Sequence, residues 1–389
     1  MSLRSLRRVV PLTLSPLLAL GLPVPASAAT PGTTAAAPGT SAAAPGGAPG
    51  AVIATTPLPG KEAPGSTATS ITYWTRDSLD QPRQALATIY VPTGTAPAGG
   101  WPILANAHVT AGLGDDCAYT DDYGTAAADV NVVTPWINAG FAFVATEYIG
   151  IGTEGSHAYL DATAEANAVI DSVRAARSAA PVLSTEYVVN GISQGGHATL
   201  ATAAKAAERA PELRLAAAMA DAPATKVEGY IPLAGPYIPP LPAPDYTTYV
   251  SYILAGLETA RPDFDLDAYL TPLGRAIVDD AHRLCYFDMN TRTQGASIGK
   301  MLAKPLNTGP FPAVLRDVTR LPVSGFDAPV LVNQGRFDLT AFPFLTDLQV
   351  TEMRLHGADV TYRHYATGHN VWSQALPHNI AFARKHLAG

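Results

Sequence analysis

Val188-Val189-Asn190-Gly191-Ile192-Ser193-Gln194-Gly195-Gly196-His197 is the stretch on which the fold turns. It reads as strand, sharp turn and helix. Glu186-Tyr187-Val188-Val189 is β-branched and aromatic, as a strand requires. Gly196 to Arg209 is helix-prone and stops before Pro211. Between them, Gly191-Ile192-Ser193-Gln194-Gly195 has the G-x-S-x-G spacing that lifts a strained serine hydroxyl above a sheet. Glycines two residues to either side let strand and helix approach without a Cβ clash. The five letters alone also fit an ordinary glycine-rich turn. The strand before and the helix after are what favour a nucleophile.

Outward from this turn, short apolar strands alternate with helical segments. Ser70 to Tyr73 and Gln84 to Val91 read as an opening antiparallel pair. Trp101 to Ala107 and Phe141 to Thr146 are apolar runs suited to strands buried on both faces. Asp161 to Ala179 is the clearest helix, with Ala166, Val169, Ile170 and Val173 on one face. After the elbow helix comes a strand over Leu215 to Ala220. From Ala222 to Phe326 the rhythm changes to prolines, tyrosines and helical patches, too long for a simple crossover. Strands at 329–334 and 360–365, each followed by a helix, restore it. The expectation is an α/β-hydrolase fold: a core at 69–221 and 327–389, interrupted by a helical cap at 222–326.

A serine hydroxyl needs a base to take its proton and an acid to hold that base. In this fold the chain order is Ser, then Asp or Glu, then His. Asp338 follows the strand at 329–334 and His369 follows the strand at 360–365. Both loops lie at the carboxyl ends of strands, where open α/β sheets bind ligands. Asp221, just past the preceding strand, is the competing acid, and Asp338 could simply cap a turn. His197, one helical turn beyond Ser193, reads as packing beneath the site. The oxyanion needs two N–H donors. Gln194, the residue after the serine, is one. Thr110, in the loop after the strand at 101–107, is the other.

Hydrophobic residues make up 47% of the 389-residue chain and charged ones 15%, enough for one large core with a cap. The formal net charge of −7 argues against nucleic acid as a partner. Arg4, Arg7 and Arg8 precede an apolar run from Val9 to Leu22, and Ala26-Ser27-Ala28 fits a cleavage site, so residues 1–28 read as a secretory signal. Prolines break the run, which is short for a membrane anchor. Residues 29–68 are Ala, Pro, Gly, Thr and Ser with almost no charge, and read as a disordered linker. Cys117 and Cys285 are free to pair in an exported protein, or to remain separate thiols. No metal-ligand spacing and no dinucleotide- or phosphate-binding glycine pattern is present, so no cofactor and no metal is expected.

Several separated pieces resemble the secretory lipase (LIP) family of α/β hydrolases. They are His108-Val109-Thr110-Ala111-Gly112, Asp116-Cys117-Ala118, Thr146 to Thr153 with His157 to Leu160, and Gly191 to Ala198. The likeness runs from about Thr69 to the C-terminus and is looser in the cap. It implies a triacylglycerol or carboxylester hydrolase with Ser193 as nucleophile, Asp338 as acid and His369 as base. It also implies a disulfide from Cys117 to Cys285, joining an early loop to the cap. The chain departs from its bacterial relatives at Val109, usually Gly, and at Tyr119, usually Pro. The expected substrate is a small-molecule or lipid ester, with contact to a lipid–water interface left open. Acyl transfer, peptide hydrolysis and non-catalytic binding are the competing functions, because one fold serves them all.

Overall fold

The protein's structure, a computed structural model, describes residues 47–121, 129–241 and 245–387. The expected secretory signal and the linker up to residue 46 lie outside the described residues. The remainder of that linker is a correction. Strand β1 (Val52–Pro57) pairs antiparallel with β2 (Ser66–Arg76), from Pro57 opposite Thr69 to Val52 opposite Tyr73. Its side chains are almost all exposed, so backbone pairing to the sheet edge holds it rather than burial. Composition reports on burial, and it therefore missed a strand that buries little. The β-branched run Val52-Ile53-Ala54-Thr55-Thr56 was the available signal.

The sheet continues through β3 (Pro82–Pro92), β4 (Trp101–Ala107), β5 (Ala142–Ile149), β6 (Leu183–Ile192), β7 (Arg214–Asp221), β8 (Val330–Gly335) and β9 (Val360–Tyr365). Their order is β1-β2-β3-β5-β4-β6-β7-β8-β9. Pairing is antiparallel as far as the β3–β5 contact and parallel from β5 onward. The opening antiparallel pair and the buried parallel centre are as expected. The parallel strands all end at one edge, which collects the loops after β4, β6, β8 and β9.

Helices α1 (Thr134–Asn138), α2 (Ala162–Ala179) and α3 (Gln194–Arg209) precede β7. Asp161 caps α2 by accepting the Thr163 and Ala164 N–H groups, each at 3.0 Å. The apolar face of α2, including Val169, Ile170 and Val173, is buried in the main core with Val144, Val189 and Leu200.

Between β7 and β8 lie α4 (Val227–Tyr230), α5 (Asp245–Ala260), α6 (Pro272–Ala281), α7 (Tyr286–Arg292), α8 (Ile298–Met301) and α9 (Phe311–Thr319). They build a second hydrophobic cluster around Tyr252, Leu257, Ile277, Phe311 and Leu315, joined from the core by Leu113, Tyr159 and Leu160. Helices α10 (Pro343–Leu355) and α11 (Trp372–His386) complete the chain. Leu376, Ile380, Ala383 and Leu387 of the last segment pack together on the core, as their spacing predicts. Together these elements form an α/β-hydrolase fold.

Cys117 and Cys285 are joined in a disulfide across a sequence separation of 168 residues. In the chain-entropy view, closing so long a loop contributes roughly 5 kcal/mol. The bond ties the loop after β4 to the insertion. Tyr286 N–H donates to Ala111 O at 2.8 Å beside it. Gly112 fits because a Cβ there would stand 2.7 Å from Cys117 Sγ and 2.8 Å from Cys285 Cα.

Candidate active site

Ser193 joins β6 to α3 with φ 60° and ψ −116°. A non-glycine residue at positive φ costs on the order of 1–3 kcal/mol and persists only where its surroundings over-determine it. Here they do. Ser193 N–H donates to Asp221 O at 2.9 Å, and Ser193 O accepts from His197 N at 3.0 Å and Ala224 N at 3.2 Å. The flanking glycines are needed for close approach. A Cβ on Gly195 would lie 1.9 Å from Ala107 O, and one on Gly191 would lie 2.4 Å from the same atom. They make room for the end of β4 as well as for the elbow's own helix. That contact brings the loop carrying Thr110 alongside the serine.

Asp338 and His369 meet from different strands. His369 Nδ1–H donates to Asp338 Oδ2 at 2.8 Å. With Nδ1 carrying the proton, a neutral imidazole keeps Nε2 as an acceptor. The buried Asp338 is itself fixed. Its Oδ1 accepts the N–H groups of Thr340 at 2.8 Å and Ala341 at 2.9 Å, and its Oδ2 accepts Gln334 Nε2 at 3.1 Å. Gln334 is anchored in turn, its Oε1 accepting Thr346 Oγ1 at 2.9 Å. The loops carrying Asp338 and His369 touch through Gly335, where a Cβ would stand 2.0 Å from Gly368 O. Phe337 N–H donates to Thr367 O at 3.0 Å across the same contact.

Gln194 opens α3, so its backbone N–H belongs to the first turn, whose donors have no intrahelical acceptor. Its side chain is completely buried. Gln194 Nε2 reaches Glu165 Oε1 at 2.9 Å and His157 Nε2 at 2.7 Å. Glu165, also fully buried, accepts from His197 Nδ1 at 2.8 Å and Leu160 N at 3.2 Å. Burial pushes Glu165 upward, but the nearby His157 imidazole and the hydrogen bond from His197 outweigh it and hold the carboxyl at about 2. Burial pulls His197 down, and Glu165 more than offsets this, leaving the imidazole above its usual value. His197 Nε2 meets Thr319 O at the end of α9. His197 therefore packs beneath the elbow, as expected, and links it to the insertion. The sequence assigned no role to Glu165, and His157 stood there only as part of a matching segment. The signal for Glu165 was a carboxylate on an otherwise apolar helix face.

Thr110 is buried, and its hydroxyl is hydrogen-bonded to Tyr159 Oη at 2.8 Å. Beside it His108, its Nδ1 2.6 Å from Val109 O, is lowered to about 4, chiefly by burial. Asp221, the competing acid, faces amides and not a histidine. It accepts Asn333 Nδ2 at 2.7 Å, Asn379 Nδ2 at 2.9 Å and Asn190 Nδ2 at 3.2 Å.

Ser193 lines a cleft of about 510 Å³ between core and insertion. Its walls are aliphatic and aromatic, with Leu160, Ile231, Ile253 and Phe342 among them. Among the described residues, no three His, Cys, Asp or Glu side chains gather to hold a metal ion. No helix among them is long and apolar enough to cross a membrane.

Residues 123–339, more than half of the chain, match the secretory lipase family. A comparison with curated proteins found no match. Solved structures are similar in fold. The rice cell wall degrading esterase LipA from Xanthomonas oryzae superposes with a TM-score of 0.71 at 20% identity, covering 88% of this chain and 99% of that one. Candida antarctica lipase A in its closed state gives 0.71 at 17% identity, covering 88% and 84%. A putative hydrolase from Legionella pneumophila gives 0.71 at 18% identity, covering 86% and 98%.

Proposed function

The chain belongs to the secretory lipase family, and from that premise we propose an exported carboxylic ester hydrolase working through an acyl-enzyme on Ser193. His369 Nε2 takes the Ser193 proton as Oγ bonds to the ester carbonyl carbon. The carbonyl electrons move to oxygen, where the N–H groups of Gln194 and Thr110 hold the charge. Collapse breaks the bond to the alcohol oxygen, which leaves with the proton from His369. Water then repeats the sequence and releases the acid. Asp338 keeps the imidazole in the required tautomer and stabilises its charged form.

The observation that carries this reading is the Asp338–His369 hydrogen bond of 2.8 Å, made by loops at the same sheet edge as the strained Ser193. The apolar cleft beside Ser193 supports an aliphatic acyl group as its occupant. Leu233 and Leu241, which line the cleft, and Phe337 and Leu339 of the acid loop are exposed, which favours esters of low water solubility. Replacing Ser193 by Ala is expected to lower kcat on p-nitrophenyl esters by about 10⁶-fold. Retention of most of the activity would overturn the assignment. For export, the expected cleavage after Ala28 leaves Ala29 as the first residue of the secreted chain. N-terminal sequencing of secreted protein checks this, and a secreted chain retaining residues 1–28 would contradict it.

A further inference from the structure

A second cleft, of about 310 Å³, is lined by Thr110. Its walls are Val109, Thr110, Tyr119, Tyr249, Tyr286 and Phe287, beside the Cys117–Cys285 disulfide. Tyr249 lines this cleft and the larger one alike. Two hydrogen bonds run along the divide. Thr110 Oγ1 and Tyr159 Oη are 2.8 Å apart, and Tyr249 Oη donates to Tyr286 Oη at 3.3 Å. The larger cleft contains Ser193 and Tyr159, and the smaller contains Thr110. A carbonyl bonded to Ser193, with its oxygen toward Gln194 and Thr110, therefore sits where the two clefts meet.

An ester carbonyl carries two arms, and the two clefts differ in chemistry. The larger is lined mainly by aliphatic side chains, which suit a flexible acyl chain. The smaller lacks long aliphatic side chains, and the rings of Tyr119, Tyr249, Tyr286 and Phe287 share its wall with Asp116 and the disulfide. Tyr249 and Tyr286 have centroids 5.8 Å apart, and Tyr286 and Phe287 are edge-on at 5.5 Å. Phe287 is 82% exposed, so the cleft reaches solvent along an uncovered aromatic face. The alcohol must depart while the acyl group stays bound to the serine, and an arm in a solvent-reaching cleft can do so. We propose that this second cleft binds the alcohol half of the substrate, and that it selects a ring-bearing alcohol. The proposal rests on the ester-hydrolase reading above.

Two ester series test it on the purified chain. One holds the acyl group as butyrate and varies the alcohol from ethyl through benzyl to 2-naphthyl. The other holds the alcohol as p-nitrophenol and varies the acyl chain. Phe287→Ala and Tyr286→Ala are expected to lower the ratio of kcat/KM for 2-naphthyl over ethyl butyrate by about threefold to tenfold, the scale of one lost aromatic contact. The chain-length optimum of the p-nitrophenyl series should not move. Leu355→Ala, an exposed position on α10, serves as the control and should alter neither series. An unchanged naphthyl-to-ethyl ratio in both variants would overturn the alcohol site, as would a shift in chain-length optimum instead. Absence of any Ser193-dependent hydrolysis by the unmodified chain would overturn the ester-hydrolase reading and this site with it.

Discussion

Asp221 and Asp338 leave adjacent parallel strands at the same edge of the sheet, and both are buried, yet they keep different company. Asp338 lies in the turn beyond β8, where two backbone N–H groups and Gln334 hold it and His369 donates to its Oδ2. Asp221 ends β7 in register with Asn333 and meets only amides, from Asn190, Asn333 and Asn379. Its backbone carbonyl, not its carboxyl, touches the serine, by accepting Ser193 N–H. Burial pushes the Asp221 carboxyl up to about 6, against the opposing pull of the three asparagines. A strand-end carboxylate is thus made a candidate catalytic acid by the histidine it faces, whereas the same group facing amides becomes a support for the elbow.

The sharpest way to break this contrast is to neutralise each carboxyl in turn. Asp338→Asn should lower kcat by about 10⁴-fold, because the amide no longer fixes the imidazole tautomer. Asp221→Asn should leave kcat within about tenfold, since the contact to Ser193 is made by backbone. Ester hydrolysis assays on both variants decide it, and a reversed order would move the acid to Asp221.

Stability carries the next largest effect. The Asp221 carboxyl has a folded value of about 6 against an ordinary 3.8, so its stabilising contribution is full below about pH 4. That contribution is lost as pH rises through 6, amounting to about 3 kcal/mol. Measured by urea unfolding, Asp221→Asn should gain stability relative to the unmodified chain between pH 4 and pH 7. A pH-independent difference would mean that Asp221 ionises at its ordinary value.

Gly335→Ala probes the spacing of the loops that carry Asp338 and His369. The added Cβ would meet Gly368 O, so the loops must part and the His369–Asp338 hydrogen bond must lengthen. A fall in kcat of about tenfold is expected, with a smaller change in KM. Wild-type kcat in this variant would show that the loops yield elsewhere.

Much of the candidate site is legible in the sequence. Gly191, Ser193 and Gly195 were legible from their spacing, although the clash that requires the two glycines is with Ala107 O of β4, far away in the chain. Asp338 and His369 were legible from their position after late strands, although Asp221 satisfied the same positional rule. What separates the two acids is which side chain reaches His369, a contact 31 residues apart in the chain between loops that follow different strands. Glu165 was hidden for a similar reason. Its partners His157, Gln194 and His197 come from a loop and a neighbouring helix, and only packing brings them together. Strand β1 escaped because pairing to an edge leaves little trace in composition.

The sequence by itself determined the alternation of strand and helix, the elbow, the long helical insertion and the set of groups available for chemistry. These follow from propensity, periodicity and local steric demand, which act over a few residues. The tertiary structure alone decided which acid meets the histidine, how Gln194 is held from beneath, and that Tyr249 lines two clefts of different lining. Those outcomes depend on distances between segments far apart in the chain, which are set only when the sheet and the insertion have packed.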